Sequence, residues 1–170
     1  LALASMRGLK GRGQVHSVSI TGGSFVVIDE SYNASPVSMR AAINVLGKML
    51  PKGRGRRIAV LGDMLELGVK SAACHEALAC SLIAESIDLV FTTGPFMGAL
   101  CNILPQPMRG GSASTSQGLL DIVLDSIRPG DVIVVKGSAG SNTDTIVEAL
   151  LDMGEPDEDG PDNHKRAANG

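Results

Sequence analysis

Aromatic side chains are scarce in this sequence, which holds three Phe, one Tyr and no Trp among 170 residues. Proteins that bind single-stranded nucleic acid stack its bases on aromatic rings, so this composition disfavours that class of function. The formal net charge of −3 argues in the same direction, because nucleic acids and anionic membranes attract basic proteins. We therefore expect no nucleic-acid partner and no membrane partner.

Long apolar runs and paired cysteines are missing as well. No apolar stretch approaches the ~20 residues that a membrane-spanning helix needs, and no signal peptide is visible. The three cysteines, Cys74, Cys80 and Cys101, form no CxxC pair and no zinc spacing. Their odd number argues against the disulfide framework of a secreted domain. A cytoplasmic location is the prediction that follows.

Several ligand-binding motifs are also absent. The sequence has no G-x-x-x-x-G-K-[ST] motif to cradle the phosphates of ATP and no G-x-G-x-x-G motif after a strand to bind a dinucleotide. No cluster of His and carboxylate residues has the spacing of metal ligands, so no metal site is assigned.

The sequence does contain a regular alternation of short apolar strands and amphipathic helices. Strands are predicted at residues 15–20, 25–28, 58–61, 88–92, 106–109 and 131–135. Helices are predicted at residues 36–49, 71–86, 95–104, 115–127 and 143–151. The alternation predicts an α/β fold, a doubly wound and mainly parallel Rossmann-like sheet covered by helices on both faces.

The two ends of the chain differ in composition from the middle. Residues 1–12 are predicted to be the end of an upstream domain and a linker, and the start without Met suggests a piece of a longer protein. Residues 13–152 are predicted to form one domain. Residues 153–170 are predicted to be a disordered tail, because their polar and Gly-rich composition cannot bury apolar surface.

Polar residues follow three of the predicted strands at a distance of one or two positions. Asp29 follows the second strand, Asp63 the third and Lys136 the last. Parallel strands of a doubly wound sheet place their carboxyl ends at one edge, where ligands bind, so these side chains should lie close together. Lys136 can hold a carboxylate or phosphate as a point charge, although a surface Lys without such a role is the alternative. Gly137 and Ser138 offer an anion backbone N–H groups and a hydroxyl near a helix start.

The loop over residues 29–34 combines two acids, a hydroxyl, an aromatic ring and an amide. Ser35 is a plausible helix N-cap, and Pro36 suits the first helical position. Such a loop can grip a ribose, stack on a base and orient a phosphate. A polar turn with a capping Ser has the same composition, so the residue types alone leave both interpretations open.

Three longer segments add specificity through their order and spacing. They read Asp29-Glu-Ser-Tyr-Asn-Ala-Ser-Pro36, then Ala59-Val-Leu-Gly-Asp-Met-Leu-Glu-Leu-Gly68 with His75, then Gly130-Asp-Val-Ile-Val-Val-Lys-Gly-Ser138 with Val147-Glu-Ala-Leu150. Together they resemble the C-terminal domain of the Mur ligase family, in particular of its members that add D-alanyl-D-alanine. The resemblance covers residues 11–151.

This resemblance implies an enzyme of three domains, of which only the third is present here. The full enzyme would use ATP and Mg²⁺ to activate the carboxylate of UDP-N-acetylmuramoyl-tripeptide as an acyl phosphate, which the amine of D-alanyl-D-alanine then attacks. The P-loop and the groups that hold Mg²⁺ would lie mainly in the absent central domain. No catalytic residue is therefore assigned to this chain, and the chain alone is expected to be inactive.

The resemblance also implies which residues approach each ligand. ATP would be approached by Arg12, Asp29, Tyr32, Asn33 and Pro36. The acceptor side would include Gly62, Asp63, Met64, Glu66, Leu67, His75, Lys136, Gly137 and Ser138. The sequence departs from the family pattern at Ser35, where many relatives carry Asn, and after Ser138, where an Arg and a Met-rich helix start are usual.

Two other functions remain open at this stage. One is a nucleotide-binding module of similar fold without catalysis. The other is the same domain in a Mur ligase of different specificity or in folylpolyglutamate synthase. The Tyr32-Asn33 pair argues against this second alternative, because the tripeptide-forming relatives typically carry an Ala-His pair there.

Overall fold

The structure is a computed structural model that describes residues 9–156. Predictions for residues 1–8 and 157–170 lie outside the described residues. The strands are β1 Gln14–Ile20, β2 Gly23–Glu30, β3 Arg57–Gly62, β4 Leu89–Thr93, β5 Arg109–Ala113 and β6 Val132–Lys136. The α-helices are α1 Pro36–Lys48, α2 Ser71–Glu76, α3 Leu78–Ala84, α4 Met97–Ile103, α5 Ser116–Ser126 and α6 Asp144–Asp152.

All six strands belong to one sheet, in the order β1-β2-β6-β3-β4-β5. β1 pairs with β2 in antiparallel fashion, and the remaining pairs are parallel. The last strand of the chain, β6, therefore lies between β2 and β3 in the middle of the sheet. This arrangement confirms the predicted mainly parallel sheet.

Helices cover both faces of the sheet and bury a separate apolar core on each. On one face α1 presents Met39, Ile43 and Leu46, spaced by one helical turn, to a core that also contains side chains of α3 and α4. On the other face α5 and α6 bury Leu119, Val123 and Leu150, among others. Each fully buried side chain of this size contributes about 1.5–3 kcal/mol. The predicted doubly wound α/β fold is thereby confirmed.

Two predicted elements differ from the structure. Residues 106–109, predicted as a strand, form a 3₁₀ turn at Gln106–Met108, and β5 follows it with the sequence RGGSA. The strand escapes prediction because its glycines carry no apolar pattern. Gly110 is needed because a larger residue would not fit beside Phe91: a Cβ at this position would lie 2.7 Å from the Phe91 ring. The helix predicted at 71–86 is divided into α2 and α3 at Ala77.

The first residues assigned to the C-terminal tail are attached to β1. The Glu155 backbone N–H donates to the Ser19 carbonyl oxygen at 2.9 Å. The Thr21 hydroxyl donates to a carboxylate oxygen of Glu155 at 2.6 Å. These contacts hold the residues just beyond the end of α6 against the end of β1 and the turn that follows it.

Candidate functional site

The polar strand ends meet at one edge of the sheet, as the sequence predicts. β6 lies directly between β2 and β3, and Lys136 pairs in register with Glu30 on one side and with Leu61 on the other. Residues that are distant along the chain are thus held side by side by the backbone hydrogen bonds of three parallel strands. The site is built on the rigid centre of the sheet.

The loop after β2 is fixed by the start of α1. The Ser35 hydroxyl accepts a hydrogen bond from the Ser38 N–H at 3.2 Å, and the Ser38 hydroxyl accepts one from the Ser35 N–H at 2.9 Å. This reciprocal pair is a capping box, with Ser38 in the place usually taken by Glu or Gln. Pro36 is the first residue of α1, as predicted. The cap holds the preceding residues, Tyr32 and Asn33, at the surface.

Tyr32 and Arg12 form a stacked pair at this surface. The Arg12 guanidinium carbon lies 4.1 Å from the centroid of the Tyr32 ring, within the range of a cation–π interaction. Tyr32 remains 51% exposed, so part of the ring stays available to a ligand. Asn33 is also exposed, and its side-chain oxygen accepts a hydrogen bond from the Ala34 N–H at 2.8 Å.

Lys136 lies beneath this loop and supports it. Its ammonium group donates to the Asn33 carbonyl oxygen at 2.8 Å and lies 3.7 Å from a carboxylate oxygen of Glu30. The residue is only 4% exposed. Burial lowers the pKa of Lys136 below its ordinary value, and the nearby Glu30 carboxylate opposes this shift without cancelling it.

Two cavities open around Tyr32 and Asn33. The smaller, of about 240 Å³, is lined by Gly11, Arg12, Glu30, Tyr32, Asn33 and Lys136. The larger, of about 560 Å³, is lined by residues 32–35, 65–67 and 138–140. Glu66 and Leu67, two of the predicted acceptor-side residues, border this larger cavity. The first cavity carries the cationic groups, and the second offers the volume of a small-molecule site.

Asp29 points into the protein. It is 1% exposed. One carboxylate oxygen accepts the N–H of Gly11 at 3.0 Å, and the other accepts the N–H and hydroxyl of Ser31 at 3.1 and 2.6 Å. The carboxylate therefore joins residues of the linker to residues of the loop.

Asp63 and His75 are also turned inward. Asp63 accepts hydrogen bonds from the backbone N–H groups of Phe96 and Met97, the latter at 2.8 Å, and so caps the start of α4. The His75 Nε2 accepts the Met64 N–H at 2.9 Å, which leaves its proton on Nδ1 to donate to the Ser71 carbonyl oxygen at 2.6 Å. Met64 and His75 are fully buried. The structure thus places Met64 and His75 behind the cavity walls, whereas Asp63 borders a cavity while its carboxylate is bonded to the start of α4.

Gly137 and Ser138 shape the turn between β6 and α6. A Cβ at Gly137 would lie 2.4 Å from the Ser141 hydroxyl oxygen and 3.1 Å from the Cα of Gly62, so the position accepts only glycine without rearrangement. The Ser138 hydroxyl accepts the Leu65 N–H at 3.0 Å, and the Ser138 N–H donates to the Asp63 carbonyl oxygen at 3.1 Å. These contacts tie the ends of β3 and β6 together.

A third cavity, of about 230 Å³, escapes prediction from the sequence. It lies beyond Asp63 and is lined by residues of four connections, namely Asp63, Leu65, 93–96, 114–116 and 140–142. Leu65 and Gly140 border this cavity and the 560 Å³ cavity alike. Thr93-Gly94 and Thr115-Ser116 are recognisable in the sequence as a turn and a helix cap. Only the fold brings them together.

Two kinds of site find no support between residues 9 and 156. None of the helices there has the length and apolar character needed to cross a membrane. No group of three or more His, Cys, Asp or Glu side chains is arranged in that part of the chain so that it could hold a metal ion.

A comparison with known protein families identifies the family of this chain. Residues 11–139 match the family described as Mur ligase, glutamate ligase domain. This chain belongs to the Mur ligase family. The match spans the linker, the loop after β2 and the turn after β6, and it identifies the chain as a Mur ligase C-terminal domain.

Relatives with curated names refine the position of this Mur ligase domain. The UDP-N-acetylmuramoyl-tripeptide–D-alanyl-D-alanine ligase of Bacillus subtilis (strain 168) is 33% identical over 156 residues, which cover 89% of this chain and 33% of the relative. The ligase of the same name from Escherichia coli (strain K12) is 33% identical over 131 residues, 76% of this chain and 27% of the relative. The domain spans about a third of the length of the curated relatives it matches.

Solved structures of similar fold include MurF ligases. The crystal structure of the MurF ligase from Thermotoga maritima in complex with ADP superposes with a TM-score of 0.70 at 25% identity, covering 89% of this chain and 33% of that chain. A MurF structure from Acinetobacter baumannii has a TM-score of 0.71 at 28% identity, covering 86% and 31%. The fold of this Mur ligase domain is therefore similar to that of the matching third of these MurF structures.

Proposed function

We propose that this domain forms part of an ATP-dependent ligase that adds D-alanyl-D-alanine to UDP-N-acetylmuramoyl-tripeptide in peptidoglycan precursor synthesis. The observation that carries the proposal is the Arg12–Tyr32 pair above a cavity that also contains Lys136. The names of the relatives and the ADP-bound neighbour support the same ligand class. A cytoplasmic location is part of this proposal.

The nucleotide would be held by the loop after β2. The exposed face of Tyr32 can stack against a base, and Arg12 and Lys136 bring two cationic groups to one cavity for a phosphate. ATP supplies the phosphoryl group that activates the tripeptide carboxylate. The described residues offer no cluster for Mg²⁺, so the metal would be held mainly by the domain upstream.

The D-alanyl-D-alanine acceptor would be held between the 560 Å³ and 230 Å³ cavities. Leu65 and Phe96, 41% and 42% exposed, border the smaller one and can contact methyl groups. Glu66, Leu67 and Ser138 border the larger one. Asp63 borders the smaller cavity, and its carboxylate holds the start of α4. Met64, His75 and Gly137 would act from behind by fixing the turns after β3 and β6. The tripeptide and its UDP group would be held by the other domains.

The decisive experiment uses the full-length ligase that contains this domain. Purified enzyme is given ATP, Mg²⁺ and UDP-N-acetylmuramoyl-tripeptide, with D-alanyl-D-alanine or with single amino acids such as L-Glu, L-Lys and meso-diaminopimelate as the acceptor. We expect ADP release and a pentapeptide product only with the dipeptide. Equal or faster product formation with a single amino acid would assign the domain to a Mur ligase of different specificity. Absence of turnover with every acceptor would overturn the proposed activity.

A further inference from the structure

Asp29 occupies a position that a ligand cannot easily reach. Its two carboxylate oxygens accept three hydrogen bonds from Gly11 and Ser31, as described above, and 99% of the residue's surface is buried. A carboxylate satisfied in this way gains little from a ribose hydroxyl. Its contacts run along the chain, between the linker and the loop after β2.

Backbone contacts reinforce this connection on both sides of Arg12. The Gly11 carbonyl oxygen accepts the Tyr32 N–H at 3.1 Å, and the Gly13 N–H donates to the Asp29 carbonyl oxygen at 2.8 Å. Gly11 has a φ of +76°, and a Cβ there would lie 2.9 Å from the Cβ of Tyr32. Arg12 thus lies between Gly11, which is bonded to the loop after β2, and Gly13, which is bonded to the end of β2.

We propose that Asp29 is a positioning residue, whose carboxylate clamps the linker to the loop and so holds the Arg12 guanidinium over the Tyr32 ring. This inference rests on the proposed nucleotide site and assigns Asp29 a role that acts through other residues. It also means that Arg12 moves with this domain. Any bend between this domain and the one before it must then occur ahead of Gly11.

Asp29→Asn tests whether the carboxylate of Asp29 is needed to hold the linker to the loop, or whether any buried polar side chain of this size is sufficient. An amide offers one acceptor oxygen and one donor group, so it cannot accept from Gly11 and from Ser31 at the same time. One side of the clamp must open, whichever way the amide turns. Ser31→Ala is the milder variant, since it removes one hydroxyl donor and leaves the carboxylate in place.

Tyr32 provides a direct reporter, because it is the only Tyr in a sequence without Trp. Nuclear Overhauser contacts between the Arg12 side chain and the Tyr32 ring can be recorded in this 170-residue chain without any nucleotide. We expect Asp29→Asn to abolish these contacts and Ser31→Ala to weaken them. Asp131→Asn is the matched control, since Asp131 is equally buried and accepts the N–H groups of Arg56 and Arg128 away from the site.

The functional half of the test uses the full-length ligase. Asp29→Asn should raise KM for ATP by about tenfold, since small displacements of binding groups are costly, and should leave KM for D-alanyl-D-alanine unchanged. Asp131→Asn should lower stability without moving KM for ATP. If Asp29→Asn retains the Arg12–Tyr32 contacts, or loses them without raising KM for ATP, the proposal is overturned. If Arg12→Ala and Tyr32→Ala also leave KM for ATP unchanged, the proposed nucleotide site itself fails.

Discussion

The ammonium group of Lys136 donates a hydrogen bond to the backbone carbonyl of Asn33 at 2.8 Å, across 103 positions of the sequence. The end of β6 thereby supports the loop that follows β2. The same ammonium faces Glu30 and the cavity beside Arg12. A buried cation at this place costs stability and is suited to binding an anion, so stability and function should respond to its removal in opposite ways.

Lys136→Met should show this opposition. Because the folded-state pKa of Lys136 is lowered by burial, charged Lys136 destabilises the fold at all pH values below that pKa. The penalty declines as the pH rises from the folded pKa to the ordinary value of 10.5. In denaturant unfolding, the free energy of unfolding of Lys136→Met should therefore exceed that of the parent by the largest amount near neutral pH. This difference should shrink as the pH approaches 10.5, because the parent loses its buried charge. KM for ATP should rise in the full-length enzyme.

Lys10→Met is the matched control for this titration. Lys10 is exposed, and its pKa is raised by the hydrogen bond and charge of Glu148. The charged Lys10 therefore stabilises the fold below pH 10.5, and this stabilisation is lost as the pH rises through the folded-state pKa. The charge of Lys10 thus affects stability in the opposite direction to the charge of Lys136. A Lys136→Met variant whose stability relative to the parent does not fall between neutral pH and 10.5 would contradict the burial argument.

Asn33→Ala should affect nucleotide use more than folding. The Asn33 side chain is exposed, and its one described partner is the neighbouring Ala34 N–H. A hydrogen bond to a bound ligand is worth about 1–2 kcal/mol, so kcat/KM for ATP should fall by about tenfold or more. The free energy of unfolding of the domain should change by less than about 1 kcal/mol. A large loss of stability with unchanged ATP kinetics would make Asn33 a turn residue.

Gly137→Ala should destabilise the domain. Its added methyl group would lie 2.4 Å from the Ser141 hydroxyl oxygen and 2.9 Å from the Thr143 methyl carbon, both closer than ordinary Cβ contacts, and overpacking of this kind costs about 1–3 kcal/mol. Gly98→Ala in α4 is the control, because a Cβ there meets no atom within 4 Å and Ala favours helix by about 1 kcal/mol. Thermal unfolding of the two variants should shift in opposite directions. Equal shifts in the unfolding temperature of the two variants would contradict the prediction, because they would show that the turn after β6 can rearrange to accept a methyl group.

The chain alone should neither hydrolyse ATP nor consume D-alanyl-D-alanine. It has no P-loop in its sequence, and positioning of the transferred phosphoryl group depends on such elements and on Mg²⁺. Release of phosphate from ATP by the purified 170-residue chain, compared with a buffer blank and a sample repurified to constant activity, checks this. Turnover that survives repurification would contradict it.

Local patterns predict most of this fold, and long-range packing determines the rest. The apolar runs of β2, β3 and β6 and the cap at Ser35-Pro36 are readable from sequence because they depend on near neighbours. β5 cannot be predicted from a local pattern, because Gly110 is required by its close contact with the Phe91 ring, a residue distant in sequence. Convergence of Asp29 and Lys136 is predictable from the fold class alone.

The direction of the site side chains is harder to predict. Asp29 and His75 lie in the segments that resemble the family. The residues around them in the sequence do not indicate that Gly11 and Met64 are their hydrogen-bond partners. The 230 Å³ cavity depends on loops that follow four different strands. Contacts of this kind depend on the order of the strands in the sheet, which cannot be determined from a single sequence.

The central place of β6 has a consequence for the order of synthesis. A ribosome releases β2 and β3 long before residues 132–136, yet these two strands touch β6 and do not touch each other. Until β6 emerges, the inner edges of β2 and β3 have no partner in the growing chain. Because closing contacts of such wide sequence separation is slow, the nascent domain should depend on protection of these edges during translation.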